Sequence, residues 1–305
     1  MTHATIKKWG VRFFLLAVCL VVVFSWHVGS KLTAPATCDV VLDTQTRASF
    51  GASFHKFLVQ KVLVQELRIP TTNGSECAAW YASHSAADAT IILAHPIRAN
   101  RRAMLRRAGY FFRQGYSVLL IDLPAHGESD GEHITFGFRE RHGVLAAVKF
   151  VREQTPNQKV AVVGWSLGGA AALLASPLPI DALVLESVYP TVSGATHNRV
   201  KQRLGGAANI LSPLLLAQLP IRLGIWPSDL RPIDSLQHVR CPVMILAGED
   251  DHHTTLSESK AMFAAANQPK EFVMFPGATH VDLYAHDHRM YEDRVGAFLA
   301  ESLSK

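Results

Sequence analysis

The amino-acid sequence predicts an α/β protein with an open, mostly parallel sheet, helices on both faces and a small helical insertion. Three observations predict it. Short, nearly continuous apolar runs recur along the chain, helix-patterned segments separate them, and one stretch breaks the alternation. With 305 residues, 49% hydrophobic and 18% charged, 20 Gly, 15 Pro and 4 Cys, the composition excludes disordered, collagen-like and disulfide-scaffold classes.

Residues 57–69 alternate Leu58, Val62, Val64 and Leu67 with polar residues, a turn follows at 71–75, and 77–82 completes a hairpin-like start. Ala89–Ala94, Ser117–Ile121 and the runs 160–163, 182–185, 243–247 and 271–275 read as buried strands. Helical patterns at 99–113, 137–153, 167–175, 257–266 and 290–303 lie between and after them. Residues 190–236 carry Gly205-Gly206, Pro213, Pro220 and Pro227, so they form neither one strand nor one long helix. A set of short helices serving as a lid and a plain packing excursion are both consistent with them. Leu214, Leu215, Leu216, Leu219 and Trp226 make this stretch apolar enough to hold an acyl chain or to pack on the sheet.

The net charge of +5 has a local origin. Lys7, Lys8, Arg12 and Lys31 precede residue 37 with no acid among them, which leaves 26 positive against 25 negative charges in the rest. The body therefore offers no basic field for nucleic acid. Residues 13–30 lack Lys, Arg, Asp and Glu and as a helix reach about 27 Å, near the roughly 30 Å of a bilayer core. We expect residues 1–36 to be an uncleaved membrane anchor with its basic end cytoplasmic and residues 37–305 across the membrane, periplasmic or lumenal. The alternative is a secretory signal cut near Ala34-Pro35-Ala36. In an oxidising compartment Cys38 and Cys77 are available to pair, against the plainer reading of small buried residues.

In an open α/β sheet, ligands bind beyond the carboxyl ends of the strands. One run leads into Gly164-Trp165-Ser166-Leu167-Gly168, a G-x-S-x-G turn between a strand and a small-residue helix. A serine hydroxyl needs a base, and position selects His280, in the loop after the last strand. Gly248-Glu249-Asp250-Asp251 places an acid after the preceding strand. His252, His253, His286 and His288 lack a metal-ligand pattern, so no metal is expected. Arg98, Arg101, Arg102, Arg106 and Arg107 form a basic run near the mouth: a solvated helix face, or a holder of an anionic headgroup or carboxylate.

From about residue 57 to the C-terminus the chain resembles the α/β-hydrolase superfamily of serine hydrolases, near its membrane-anchored, prolyl-peptidase-like and lysophospholipase-like branch. The resemblance rests on His95, Asn100-Arg101-Arg102, Asp122-Leu123-Pro124-Ala125-His126-Gly127-Glu128-Ser129, the elbow at Ser166, Gly248 to Asp251 and Gly277 to His280. It implies an α/β-hydrolase fold and a triad of Ser166, His280 and Asp251, the acid being the fourth residue counted from the glycine. It also implies an oxyanion hole from the backbone N–H groups of Leu167 and Ile97. The family usually has His-Gly where this chain has His95-Pro96; proline removes one N–H, while that of Ile97 remains. The activity implied is cleavage of a small-molecule or lipid ester through an acyl-enzyme, without cofactor. A peptidase or amidase with the same triad and a non-catalytic binding protein on the same body are the alternatives.

Overall fold

The computed structural model describes residues 3–38 and 64–304. Eight strands form one sheet: β1 (Val64–Pro70), β2 (Glu76–Ala82), β3 (Ala89–Ala94), β4 (Ser117–Ile121), β5 (Lys159–Trp165), β6 (Ala182–Glu186), β7 (Val243–Gly248) and β8 (Lys270–Phe275). Their spatial order is β1-β2-β4-β3-β5-β6-β7-β8, and β2 alone of the eight runs against the rest. The expected strand start at residues 57–63 lies outside the described residues. The other predicted strands are present with edges within a residue or two.

Continuous apolar runs make buried strands because each face meets a helix layer. Ile91 and Leu93 of β3 enter one core, with Phe111 and Tyr291 from helices α2 (Leu105–Arg113) and α10 (His288–Leu303). Ile92 and Ala94 point the other way, into a core with Val144 and Ala170 from α3 (Glu140–Gln154) and α4 (Leu167–Leu174). That second core also takes Met262 from α9 (Leu256–Ala265). Burying both faces at about 25 cal/mol per Å2 of apolar surface is what holds the sheet.

Between β6 and β7 stand α5 (Val192–Leu204), α6 (Ala208–Leu216), α7 (Gln218–Leu223) and α8 (Pro232–Ser235). Thr191 caps α5 by accepting a hydrogen bond from the Gly194 N–H at 3.1 Å, and Gly205, at φ +56°, ends it. The insertion has a small core of its own: Val192, Leu219, Leu223, Ile225 and Leu230 pack with Phe136 and Phe138. Leu219 is thus a packing residue, Leu214 to Leu216 are half-buried and Trp226 is exposed.

The N-terminal segment is one helix, α1 (His3–Thr33), exposing Leu16, Leu20, Val23 and Phe24. Its last turns are built into the body. Ser25 and Thr33 are buried, Gln218 Nε2 donates to Ser25 Oγ at 3.4 Å, and Arg222 Nη1 donates to Ser30 Oγ at 2.8 Å while stacking on Trp26. Ile134 N–H donates to the Thr33 carbonyl at 2.9 Å, and Ala36–Thr37 pairs in parallel with His126–Gly127. The four cysteines are free: Cys38 is exposed, whereas Cys77 is buried in β2, its thiol pushed up to about 12 by burial. The alternative of a Cys38–Cys77 pair is not formed, and the plainer reading of small buried residues holds for Cys77 and Cys241, while Cys38 is exposed.

Candidate active site

Because β5, β7 and β8 are parallel, the loops after them share one edge. That brings Ser166, Asp251 and His280 to the same end of the sheet. Ser166 has φ +50°, a conformation non-glycine residues rarely hold, and is 1% exposed. The turn needs its glycines: a Cβ at Gly168 would lie 2.3 Å from the Ala94 carbonyl oxygen, and one at Gly164 would lie 2.5 Å from Gly169 Cα. The first approach also packs the start of α4 on the end of β3, beside the loop that carries Ile97. Among the described residues neither the Leu167 nor the Ile97 N–H donates to a protein acceptor.

His280 Nδ1 and Asp251 Oδ2 are hydrogen-bonded at 2.7 Å. Asp251 Oδ1 accepts from the N–H groups of His253 at 2.8 Å and Thr254 at 2.9 Å. Burial works to raise the Asp251 carboxyl, but its bond to His280, the imidazole charge and these two N–H groups outweigh it and hold the pKa below the usual carboxylate range. Asp251 is therefore an anion that fixes the proton on Nδ1 and leaves Nε2 as the basic nitrogen. Among the described residues no hydrogen bond joins the Ser166 hydroxyl to His280, a separation common in unliganded sites. The cavity of about 30 Å3 between α1 and the insertion and the one of about 460 Å3 by Lys159 and Cys241 both lie away from Ser166.

Two histidines brace the loops. His95 Nε2 accepts from the Leu123 N–H at 3.0 Å, which puts its proton on Nδ1 for the bond to the Pro96 carbonyl at 2.7 Å. The residue before Ile97 is thereby locked. His126 bonds the Pro124 carbonyl at 2.9 Å, and burial holds both rings neutral, with pKa values lowered to about 4. His253 packs on His280 at 5.0 Å between ring centroids; burial, with Arg199 nearby, lowers it to about 4 as well. Among the described residues no cluster of three or more His, Cys, Asp or Glu is arranged for a metal.

The arginine run is neither a solvated face nor an open anion site at Arg101 and Arg107. Both are buried. Arg101 pairs with Asp122 and Glu128. Arg107 donates through Nε and Nη2 to Glu186 at 3.0 and 2.6 Å and through Nη2 to Asp282 at 2.8 Å, enclosed by Trp165, Tyr284 and Tyr291. Burial opposes its charge, but Glu186, Tyr291 and Asp282 together keep its pKa above the ordinary value. This cluster ties the residue before Ser166 to the loop after His280. Its signal in the sequence is slight: one carboxylate, Glu186, closing the otherwise apolar run of β6.

A sequence profile of the Alpha/beta hydrolase family matches residues 91–293. The chain belongs to that family. Among relatives of this alpha/beta hydrolase, the uncharacterized protein Rv2307c of Mycobacterium tuberculosis is 27% identical over 252 residues, 78% of this chain and 80% of that one. YqkD of Bacillus subtilis is 21% identical over 236 residues, 76% and 77% of the two chains. Of solved structures, the Pyrococcus furiosus esterase Pf2001 superposes with a TM-score of 0.69 at 19% identity, covering 89% of this chain and 98% of its own. The esterase RhEst1 of a Rhodococcus species gives 0.56 at 16% identity, covering 78% and 99%. These likenesses establish the alpha/beta hydrolase fold.

Proposed function

We propose that the protein is a serine hydrolase that cleaves carboxylic esters through Ser166, His280 and Asp251. The observation that carries this is the Asp251–His280 hydrogen bond at the sheet edge that also holds Ser166 on a strained elbow. Ser166 Oγ attacks the ester carbonyl carbon while His280 Nε2 takes its proton, and the N–H groups of Leu167 and Ile97 receive the oxyanion. Collapse expels the alcohol with that proton. Water, deprotonated by His280, then attacks the acyl-enzyme and releases the acid and Ser166. That structural neighbours include esterases favours esters over amides.

The test is covalent labelling by a fluorophosphonate. The wild-type chain is labelled and Ser166→Ala is not; folded wild-type protein that stays unlabelled overturns the reading. Ester turnover should fall at least about 10³-fold in Ser166→Ala.

We also infer that α1 is an uncleaved membrane anchor, with the body across the membrane from its basic end. Its basic end and the exposed apolar side chains from Leu15 to Phe24 support this, and so do the backbone bonds of Ala36 and Cys38 at 2.8 Å each to the body, at the point where a signal peptide would be cut. Resistance of the full chain to alkaline extraction from membranes checks it. A soluble form should be cut before Ser25 and not after residue 36, because residues 25–33 cover Gln218 and Arg222.

A further inference from the structure

Among the described residues, the large exposed apolar side chains of the body are confined to the insertion and the residue after His280. Outside α1, the large apolar side chains exposed among the described residues are Leu204 at 52%, Ile210 at 68%, Ile221 at 73%, Trp226 at 63% and Val281 at 39%. Four belong to the insertion, and Val281 follows His280. Scattered single exposures are ordinary, but a cluster limited to one element marks an interaction surface.

Charge follows the same division. From Val192 to Leu223 there is no acid, while Arg199, Lys201, Arg203 and Arg222 are present. Removing those four from the body's 26 positive charges leaves 22 against 25 elsewhere, so a basic stretch sits on a mildly acidic remainder. Its exposed cations are Lys201 and Arg203; Arg199 is half-buried and Arg222 is turned to α1. Among the described residues none of the four forms an ion pair. The stretch is apolar enough by length and composition to cross a membrane. It folds instead as three short helices broken at Gly205–Ala207 and Ala217, with Ala208, Ser212, Gln218 and Leu219 buried. Such a surface lies on a bilayer rather than spanning it.

The surroundings put the insertion between the end of α1 and the loops around Ser166. The end of α1 touches the insertion through Arg222 and Gln218, and the Lys31 carbonyl accepts from Arg98, next to Ile97. On the insertion's other flank, Gln202 Oε1 and His253 Nε2 are 2.6 Å apart, and Asn198 Nδ2 donates to the His253 carbonyl at 3.2 Å. The helix exit, the insertion and the loops around Ser166 thus converge.

We propose that the outer face of the insertion seats on an anionic lipid bilayer beside α1, bringing the loops around Ser166 toward the lipid. Ile210, Ile221 and Trp226 enter the acyl boundary, and Lys201 and Arg203 meet the headgroups. The substrate class that follows is a long-chain ester held in the membrane. This rests on the anchor and esterase readings above, and the experiment separates the three.

The full chain, with Cys19→Ser and Cys38→Ser, is labelled with an environment-sensitive fluorophore at Ile210→Cys, Ile221→Cys or, as control, Glu153→Cys on the exposed end of α3. It is reconstituted into phosphatidylcholine vesicles with and without phosphatidylglycerol, carrying brominated acyl chains. The expected result is quenching at 210 and 221, stronger with phosphatidylglycerol, and none at 153. A chain that floats with the vesicles yet shows no quenching at 210 and 221 overturns the seating while leaving the anchor standing. Failure to float removes both, and quenching without phosphatidylglycerol equal to that with it overturns the anionic assignment. The pair Ile210→Glu and Ile221→Glu should slow hydrolysis of a vesicle-borne long-chain ester about tenfold and leave a soluble short-chain ester unchanged. Equal loss on both esters overturns the seating, whereas loss of fluorophosphonate labelling in the parent chain is a failure of the esterase reading.

Discussion

The buried arginines beneath the candidate site and the exposed cations above it differ in what answers their charge. Beneath, Arg101 and Arg107 are buried and locked to carboxylates from distant parts of the chain. Above, Arg203 and its neighbour Lys201 stand exposed on an insertion that contains no acid from Val192 to Leu223, while Arg199 is half-buried against Ala195 and Arg222 is bonded to α1. A buried guanidinium is tolerable only with its charge answered, so the lower pair acts as a set of rigid bolts. An exposed one needs no protein partner and keeps its donors for something outside the chain. The contrast separates what holds the site in shape from what faces its surroundings.

That contrast can be broken by substitution. Arg107→Met leaves Glu186 buried and unpaired and should cost about 3–5 kcal/mol in chemical denaturation; a loss below about 1 kcal/mol would remove the distinction. The next effect needs no mutation. His95 and His126 have folded pKa values of about 4 against 6.5 for the free ring, so the unfolded chain takes up protons that the folded one refuses. Their contribution is present above pH 6.5 and is lost as pH falls toward 4, up to about 3 kcal/mol per ring. Denaturation curves at pH 7.5 and 4.5 should show this before the Asp251 carboxylate titrates. The smallest effect belongs above the site: Arg203→Gln should change stability by no more than about 0.5 kcal/mol. A larger loss would mean that this residue is also a structural bolt.

The sheet was legible because burial on both faces writes itself into consecutive residues: Ala89–Ala94 and Ser117–Ile121 coincide with β3 and β4. The elbow, the acid and the histidine were legible for a related reason, since each follows directly on such a run. The arginines were not. Arg101 finds Asp122 21 residues on and Arg107 finds Glu186 79 residues on, and a run of five arginines in ten residues carries no mark of which ones turn inward. The helix pattern was misleading as well, since residues 101–104 form a 3-10 turn before α2 begins, which changes the faces on which the two arginines emerge. The docking of α1 was equally hidden, because Ser25, Gly29 and Thr33 inside an apolar run look like ordinary small residues until Gln218 and Arg222 are folded against them.

The ladder of backbone bonds from Thr33 to Cys38 has a mechanical consequence. A catalytic body on a flexible leash would sample a hemisphere of orientations, with only its distance limited. Here the chain leaves α1 and enters the body with no slack, so the body inherits the tilt of its helix. Rocking α1 by a few degrees rocks the whole body, and the bond from Arg98 to the Lys31 carbonyl carries that motion to the residue beside Ile97.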